Sequence, residues 1–133
     1  MLLAKHCKEQ GLNCHILEKS HQLGGVWAYN EKVPGGVMAS TQTTSSWSFT
    51  EISDFPLTPE DGLNTDFPRH DVVLNYLQRF GLKEGIPEIT TFNCEAEDIV
   101  KDGDYFFTKT ADGQVYKSRR VGMCLGQLGN PRS

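Results

Sequence analysis

The chemistry in this chain gathers in Glu18-Lys19-Ser20-His21-Gln22-Leu23-Gly24-Gly25-Val26-Trp27. A carboxylate such as Glu18 offers two acceptor oxygens, as many as the vicinal hydroxyls of a ribose need. Gly24 and Gly25, having no Cβ, let backbone come close to a flat or phosphorylated ligand. Trp27 sets an indole stacking face beside them. The chemistry on offer is ligand binding, and none of these residues is assigned as catalytic.

An acid can hold a diol only if an element fixes it in place. Leu2, Leu3, His6, Cys7 and Gln10 recur at helical spacing, and Gly11 is suited to end that helix in a left-handed conformation. Asn13-Cys14-His15-Ile16-Leu17 then reads as a short strand, apolar enough to be covered on both faces. Helix, glycine, strand, acid is the second half of a βαβ dinucleotide-binding unit. Its first half would be a strand and a G-x-G-x-x-G turn, which these residues do not contain.

Residues 20–44 carry loop signals, including Gly24-Gly25, Pro34 and Gly35-Gly36. A loop of that length is usually functional. Ser45 to Pro56 spaces Trp47, Phe49 and Phe55 through polar residues and ends in Ser53-Asp54-Phe55-Pro56. A helix is expected at 71–80, capped by Asp71, striped by Val72, Val73, Tyr76, Leu77 and Phe80, and stopped by Gly81. Beyond Pro87, strands are expected at Glu88–Phe92, Cys94–Val100, Tyr105–Thr110 and Gln114–Lys117. The turns Asp102-Gly103 and Asp112-Gly113 should make the last three an antiparallel meander. A final strand, Arg120–Leu125, is expected to run into Gly126, Gly129 and Pro131.

Taken in order, E-K-S-x-x-x-G-G-x-W, S-D-F-P, the helix with Tyr76-Leu77, the meander and C-L-G-Q-x-x-x-P resemble the flavin-containing monooxygenases. The resemblance implies an α/β fold: a partial Rossmann-like FAD-binding domain with an antiparallel β-meander. Residues 1–133 would be one incomplete FAD-binding domain. In it, 1–18 supply helix and second strand, 19–68 a flavin-contacting region, 69–81 a helix, 88–117 the strands and meander, and 119–126 a returning strand. By the same resemblance Glu18 binds the adenosine ribose of FAD with Lys19 beside it. Gly24, Gly25, Val26 and Trp27 line the flavin, and Gly126 passes close to it. Asp54 fixes a loop, and Phe55 and Tyr76 pack.

The implied reaction has NADPH reduce FAD, after which O2 is used to oxygenate a soft nitrogen or sulfur nucleophile. Family members commonly place an Asn that faces flavin and NADP in a T-N-x-S-K stretch ahead of S-D-F-P. This chain has Thr44 there, which the resemblance therefore implies as a cofactor-binding residue, and Trp47 stands in the place of the Lys. A hydroxyl donates one hydrogen bond and lacks the amide's second donor. With the glycine turn and the NADPH domain missing from these residues, the isolated chain is expected to fold weakly and to oxygenate nothing. Two other readings stand beside this one. The chain could be a piece of a related FAD oxidoreductase, such as a Baeyer–Villiger monooxygenase or a disulfide reductase relative. It could also be a short non-enzymatic protein with a binding role.

Composition narrows the rest. The chain has 133 residues, 23% charged and 38% hydrophobic, enough for one domain with a core. Its net charge of −4 and the absence of any basic run beyond Arg119-Arg120 argue against nucleic acid as a partner. No apolar stretch approaches the roughly 18–20 residues of a membrane span. Cys7, Cys14, Cys94 and Cys124 form no C-x-x-C pair, and the four histidines share no metal-ligand spacing with an acid. The expectation is a cytoplasmic protein, without metal, whose cysteines are small buried hydrophobes.

Overall fold

A computed structural model describes residues 1–31 and 36–126. The expected loop residues Pro34 and Gly35, and the terminal Gly129 and Pro131, lie outside the described residues. The protein is mixed α/β and divides into two units. Among the described residues the first comprises 1–22 and 85–124, and the second comprises 23–31, 36–84 and 125–126.

In the first unit, helix α1 (Leu2–Glu9) ends as its glycine demands. Gly11 takes φ +65°, its N–H donates to Lys8 O at 2.9 Å, and Leu12 N–H donates to Cys7 O at 2.9 Å. That pair of bonds is a Schellman stop, which satisfies carbonyls the helix would leave orphaned. Strand β1 (Ile16–Leu17) follows and pairs in parallel with β2 (Thr90–Thr91), Ile16 opposite Thr90 and Leu17 opposite Thr91.

The strand is therefore shorter than the expected 13–17, and it is half-buried instead of covered on both faces. Asn13 and His15 are exposed, and β2 offers only two residues to pair with. On the β2 side, Pro87 opens a single 3₁₀ turn (Pro87–Ile89), which takes up the first part of the expected 88–92 strand. Thr90 Oγ1 donates back to Ile86 O at 2.7 Å, and Ile86 is fully buried.

The meander forms as expected. Strands β3 (Ala96–Asp102), β4 (Tyr105–Thr110) and β5 (Val115–Ser118) pair antiparallel in chain order. Asp102 faces Tyr105 across a two-residue turn that Gly103 enters at φ +56°. At the second turn, Thr110 N–H donates to Gln114 O at 3.0 Å and Gly113 N–H to Thr110 O at 2.8 Å. The His15 ring stacks on Tyr116 of β5, with centroids 5.7 Å apart.

Residues 119–126 do not form the expected strand. A strand needs a neighbour to take its backbone groups, and none among the described residues pairs with this stretch. Gly122 instead lies against α1, where an added Cβ would come within 2.5 Å of Leu3 Cδ2. Cys124 is consequently exposed, Cys7 and Cys14 are half-buried, and only Cys94 is the buried hydrophobe expected of all four.

The second unit is built on α3 (His70–Lys83), which turns Val72, Val73, Tyr76 and Phe80 inward. The helix continues through Gly81, which is buried, and ends two residues before Gly85, at φ +60°. Arg69 occupies the cap position, and Asp71 lies two residues after it, in the first turn, where its charge favours the helix dipole.

Ser53-Asp54-Phe55-Pro56 packs on this helix. Phe55 is 5% exposed, with its ring centroid 5.5 Å from Tyr76 and 5.4 Å from Phe80. The Arg79 guanidinium lies 4.2 Å above the Phe55 ring. Tyr76 does more than pack. Its hydroxyl donates to Phe55 O at 2.6 Å and accepts from Ile52 N–H at 2.6 Å, clamping both ends of the tight turn in which Phe55 N–H donates to Ile52 O at 2.9 Å.

Arg79 fixes the next stretch by donating to both oxygens of Asp61 at 2.7 Å and to Pro56 O at 2.9 Å. Asp61, 2% exposed, also accepts from Thr58 N–H at 2.9 Å and closes a capping box with Thr58. Of the other aromatics expected here, Phe49 in α2 (Trp47–Thr50) is 86% exposed.

Tyr76→Phe removes one hydroxyl and orphans one N–H and one carbonyl, and should destabilise the second unit by about 1–3 kcal/mol in chemical denaturation. Asp61 supplies a pH test. Burial by itself would raise its pKa, but the Arg79 guanidinium and the Thr58 donors outweigh burial and hold it below its ordinary 3.8. A carboxylate whose pKa is depressed by folding contributes stability above its unfolded pKa and loses it as pH falls through the folded value. Acid should therefore destabilise the protein progressively below about pH 3.8. Asp61→Asn should flatten that slope in denaturation curves taken across pH.

Candidate functional site

Glu18 leaves the end of β1 with its backbone held on both sides. Its N–H donates to Thr91 O at 3.0 Å, and its carbonyl accepts from Cys94 N–H at 2.9 Å. Asn93 N–H donates to Ser20 O at 2.9 Å, which requires Asn93 to take φ +52°. Asn tolerates that left-handed conformation better than most residues. The Glu18 side chain is half-buried, and Oε1 accepts from Ser20 N–H at 2.8 Å. Among the described residues Oε2 has no hydrogen-bond partner. Its position is thus set by Oε1, while Oε2 stays available as an acceptor.

Lys19 is engaged elsewhere in the same unit. Its Nζ lies 2.7 Å from Glu95 Oε1, with the two side chains 72% and 39% exposed. A pair so open to solvent contributes little to stability.

In the second unit, Gly24 (φ +129°) leads into a single 3₁₀ turn, Gly25–Trp27. Trp27 N–H donates to Gly24 O and Ala28 N–H to Gly25 O, both at 3.1 Å. The two glycines serve different ends. A Cβ on Gly24 would make the end of the Leu74 side chain of α3 shift, and φ +129° is a conformation that side-chain-bearing residues rarely adopt, so the turn favours glycine there. A Cβ on Gly25, at φ +53°, would meet nothing within 4 Å among the described residues. Gly25 and Val26 are exposed and Trp27 half-buried, so the turn presents an open backbone flanked by an apolar chain and an indole.

Thr44 is also exposed, in a bend that its neighbour anchors. Thr43 is 9% exposed, donates from N–H to Pro68 O at 3.0 Å and from Oγ1 to Ser45 O at 2.8 Å. Gly126 takes φ +74° with no atom within 4 Å of an added Cβ among the described residues. The structure thus groups Glu18 with Lys19 in one unit, and Gly24, Gly25, Val26 and Trp27 on one turn of the other.

Sequence reasoning gave no role to Asp61 and Arg79, which hold the segment after Phe55. Thr58-Pro59-Glu60-Asp61 carries the signal that would have found the first of them, a hydroxyl followed three residues later by an acid with Pro between. Arg79 has no such local signature, because its partners lie 18 and 23 residues away. Among the described residues no helix is long and apolar enough to cross a membrane, and no group of three or more His, Cys, Asp or Glu is placed to hold a metal ion.

Residues 2–119 match the family model described as flavin-binding monooxygenase-like. The chain is 34% identical over 104 residues to flavin-containing monooxygenase 1 of Rattus norvegicus, covering 76% of this chain and 19% of that protein. It is 28% identical over 116 residues to flavin-containing monooxygenase FMO GS-OX-like 5 of Arabidopsis thaliana, covering 74% of this chain and 26% of the relative. The chain therefore spans about a quarter of the length of the curated relatives it matches. Among solved structures, the S-allyl-L-cysteine S-oxygenase of Allium sativum superposes with a TM-score of 0.84 at 22% identity, over 97% of this chain and 34% of that one. An oxidized steroid monooxygenase bound to NADP superposes with a TM-score of 0.78 at 20% identity, over 97% of this chain and 24% of that one. Both share the fold.

The unequal glycines give a paired prediction. Gly25→Ala should cost about 1–2 kcal/mol, the strain of a left-handed alanine. Gly24→Ala should cost more, because φ +129° is further from what alanine tolerates and the Leu74 side chain must also move. Denaturation midpoints of the two variants check the order.

Proposed function

The chain belongs to the flavin-binding monooxygenase-like family, and from that premise we propose that it is part of the FAD-binding region of an FAD- and NADPH-dependent monooxygenase. The substrates of the whole protein are small molecules with a soft nitrogen or sulfur nucleophile, oxygenated with O2. The observation that carries the reading is Glu18, a strand-end carboxylate with Oε1 pinned by Ser20 N–H and Oε2 left as an acceptor. That is the acceptor set a ribose diol asks for.

The residues present fit the cofactor. Glu18 would take the ribose hydroxyls of the adenosine, with Lys19 beside it. The open backbone of Gly25, with Val26 and Trp27, would lie along the flavin, and Gly24 holds that turn against α3. Gly126, left-handed and open, would pass close to the ring system. Bound FAD supplies the redox and oxygen chemistry, and the protein's part is to bind, orient and exclude water. Thr44, exposed and carrying one hydroxyl donor, would contact the cofactor as well.

The 133 residues contain no G-x-G-x-x-G turn, the element that sets a pyrophosphate on a helix N-terminus. These residues by themselves should accordingly not oxygenate substrate.

The first test is to read the native transcript across both ends of this segment. The reading expects an in-frame strand and G-x-G-x-x-G upstream and F-x-G-x-x-x-H downstream; a transcript that closes at Met1 and Ser133 would sink it. In protein expressed from the longer frame, Glu18→Ala should weaken FAD about 10- to 100-fold, the loss of hydrogen bonds to a charged acceptor. Retention of flavin on gel filtration and equilibrium titration with FAD measure it. Unchanged FAD affinity would remove Glu18 from the site.

A further inference from the structure

The meander has one covered face and one open face. Thr108 and Thr110 of β4 are buried and Tyr116 of β5 stacks on His15, so these residues mark the covered face. Alternation along the strands turns their neighbours to the open side. There Val100 of β3 pairs with Phe107 of β4, and Phe107 with Lys117 of β5. Asp98, Lys109 and Val115 form the row on one side of this, and Asp102 and Tyr105 the row on the other. Lys117 Nζ lies 3.9 Å from the Tyr105 ring centroid and Arg119 Cζ 5.8 Å, which puts Arg119 on the open face as well. The two rings are half-buried, and the valines and charged groups around them are exposed.

Charge on this face is sorted by strand. β3 contributes only acids to it, Asp98 and Asp102, whereas β5 and the residue after it contribute only bases, Lys117 and Arg119. The two strands lie two spacings apart, about 10 Å, with β4 between them. Among the described residues none of the four groups closes an ion pair within the chain. Val100, Val115 and the two rings supply an apolar middle. We propose that this face docks on the same face of a second copy of the chain, in a two-fold dimer where β3 of each copy lies over β5 of the other.

The sorting fixes the symmetry axis. An axis across the strands would stack β3 on β3 and β5 on β5, acid on acid and base on base. An axis along the strands keeps each row in place and exchanges the outer strands. Asp102 of each copy then meets Arg119 of the other, and Val100 of each meets Lys117. Lys109, on the middle strand, keeps Asp98 of its own copy opposite it, so that row stays balanced. Pairing edge to edge through β3 would again bring acid to acid, on a strand interrupted by a bulge between Ala96 and Asp98. Three short strands offer less than the roughly 800 Å² per partner of a standard interface, so the dimer is weak, reversible and sensitive to salt. None of these residues belongs to the cofactor site, and the dimer stands whether or not Glu18 binds a ribose.

The test is analytical ultracentrifugation of protein expressed from its native reading frame, from about 1 μM to about 1 mM. A monomer–dimer equilibrium is expected, weakened severalfold when salt is raised from about 0.05 to about 0.5 M. Two charge variants then locate the interface. One carries Asp98→Lys and Asp102→Lys, the other Lys117→Glu and Arg119→Glu, and circular dichroism checks that each is folded. Each alone should self-associate at least about tenfold more weakly, because like charges now face each other. Mixed in equal amounts, they should form a heterodimer within about threefold of the original affinity, since the basic face meets the acidic one. Asp102→Lys mixed with Arg119→Glu repeats the test with single substitutions should a double variant not fold. A monomer at every concentration, a dimer whose affinity neither variant changes, or a mixture no tighter than its separate components would each overturn the proposal.

Discussion

The Tyr76 hydroxyl holds together the part of this protein that has least regular structure of its own. Among the described residues of 23–69 there are one four-residue helix and two single 3₁₀ turns, and Ser53-Asp54-Phe55-Pro56 has no ladder to take its backbone groups. Where such a segment is buried, as at Phe55, its backbone groups must find partners or cost stability. One phenol answers two of them, accepting from Ile52 and donating to Phe55. One turn further along α3, Arg79 does the same for Pro56 O and Asp61. The aromatic stripe of α3 supplies area, and the polar atoms set among it decide which loop conformation that area can accept.

The same division of labour appears around Glu18. Ile16 and Leu17 pair with only two residues, too little sheet to be stable in isolation. The ladder is extended past its end by bonds from Asn93 and Cys94 to residues 20 and 18, and these fix the carboxylate's base. Ser20 N–H then fixes its rotamer through Oε1. A short strand suffices to fix a carboxylate when the turn after it is so thoroughly held. Rigidity at that point matters more to a ligand than the length of the strand.

Gly24 and Gly25 show why adjacency in a motif does not mean a common purpose. One takes φ +129°, with the end of a helix side chain in the space a Cβ would enter. The other faces open space with backbone exposed. Sequence reading treats the pair as one ligand-facing signature, since both look alike until Leu74, some 50 residues on, is placed beside the first.

Local codes were legible without coordinates. The period of α1 and α3, the helix stop at Gly11, the hairpin turns at Gly103 and Gly113, and the pairing of β3, β4 and β5 are all written within a few residues of themselves. Each is set by backbone sterics and side-chain period, which act at short range. Where partners decide, the sequence misled. Residues 119–126 look like a strand and find no neighbour to pair with among the described residues; 13–17 look fully buried and are not; and Gly81, a plausible stop, is carried inside a helix by the packing around it. The Asp61–Arg79 pair, the Tyr76 clamp and the unequal roles of Gly24 and Gly25 were decided only in the tertiary structure. Burial and hydrogen-bond satisfaction depend on atoms brought from distant positions, and no local window contains them.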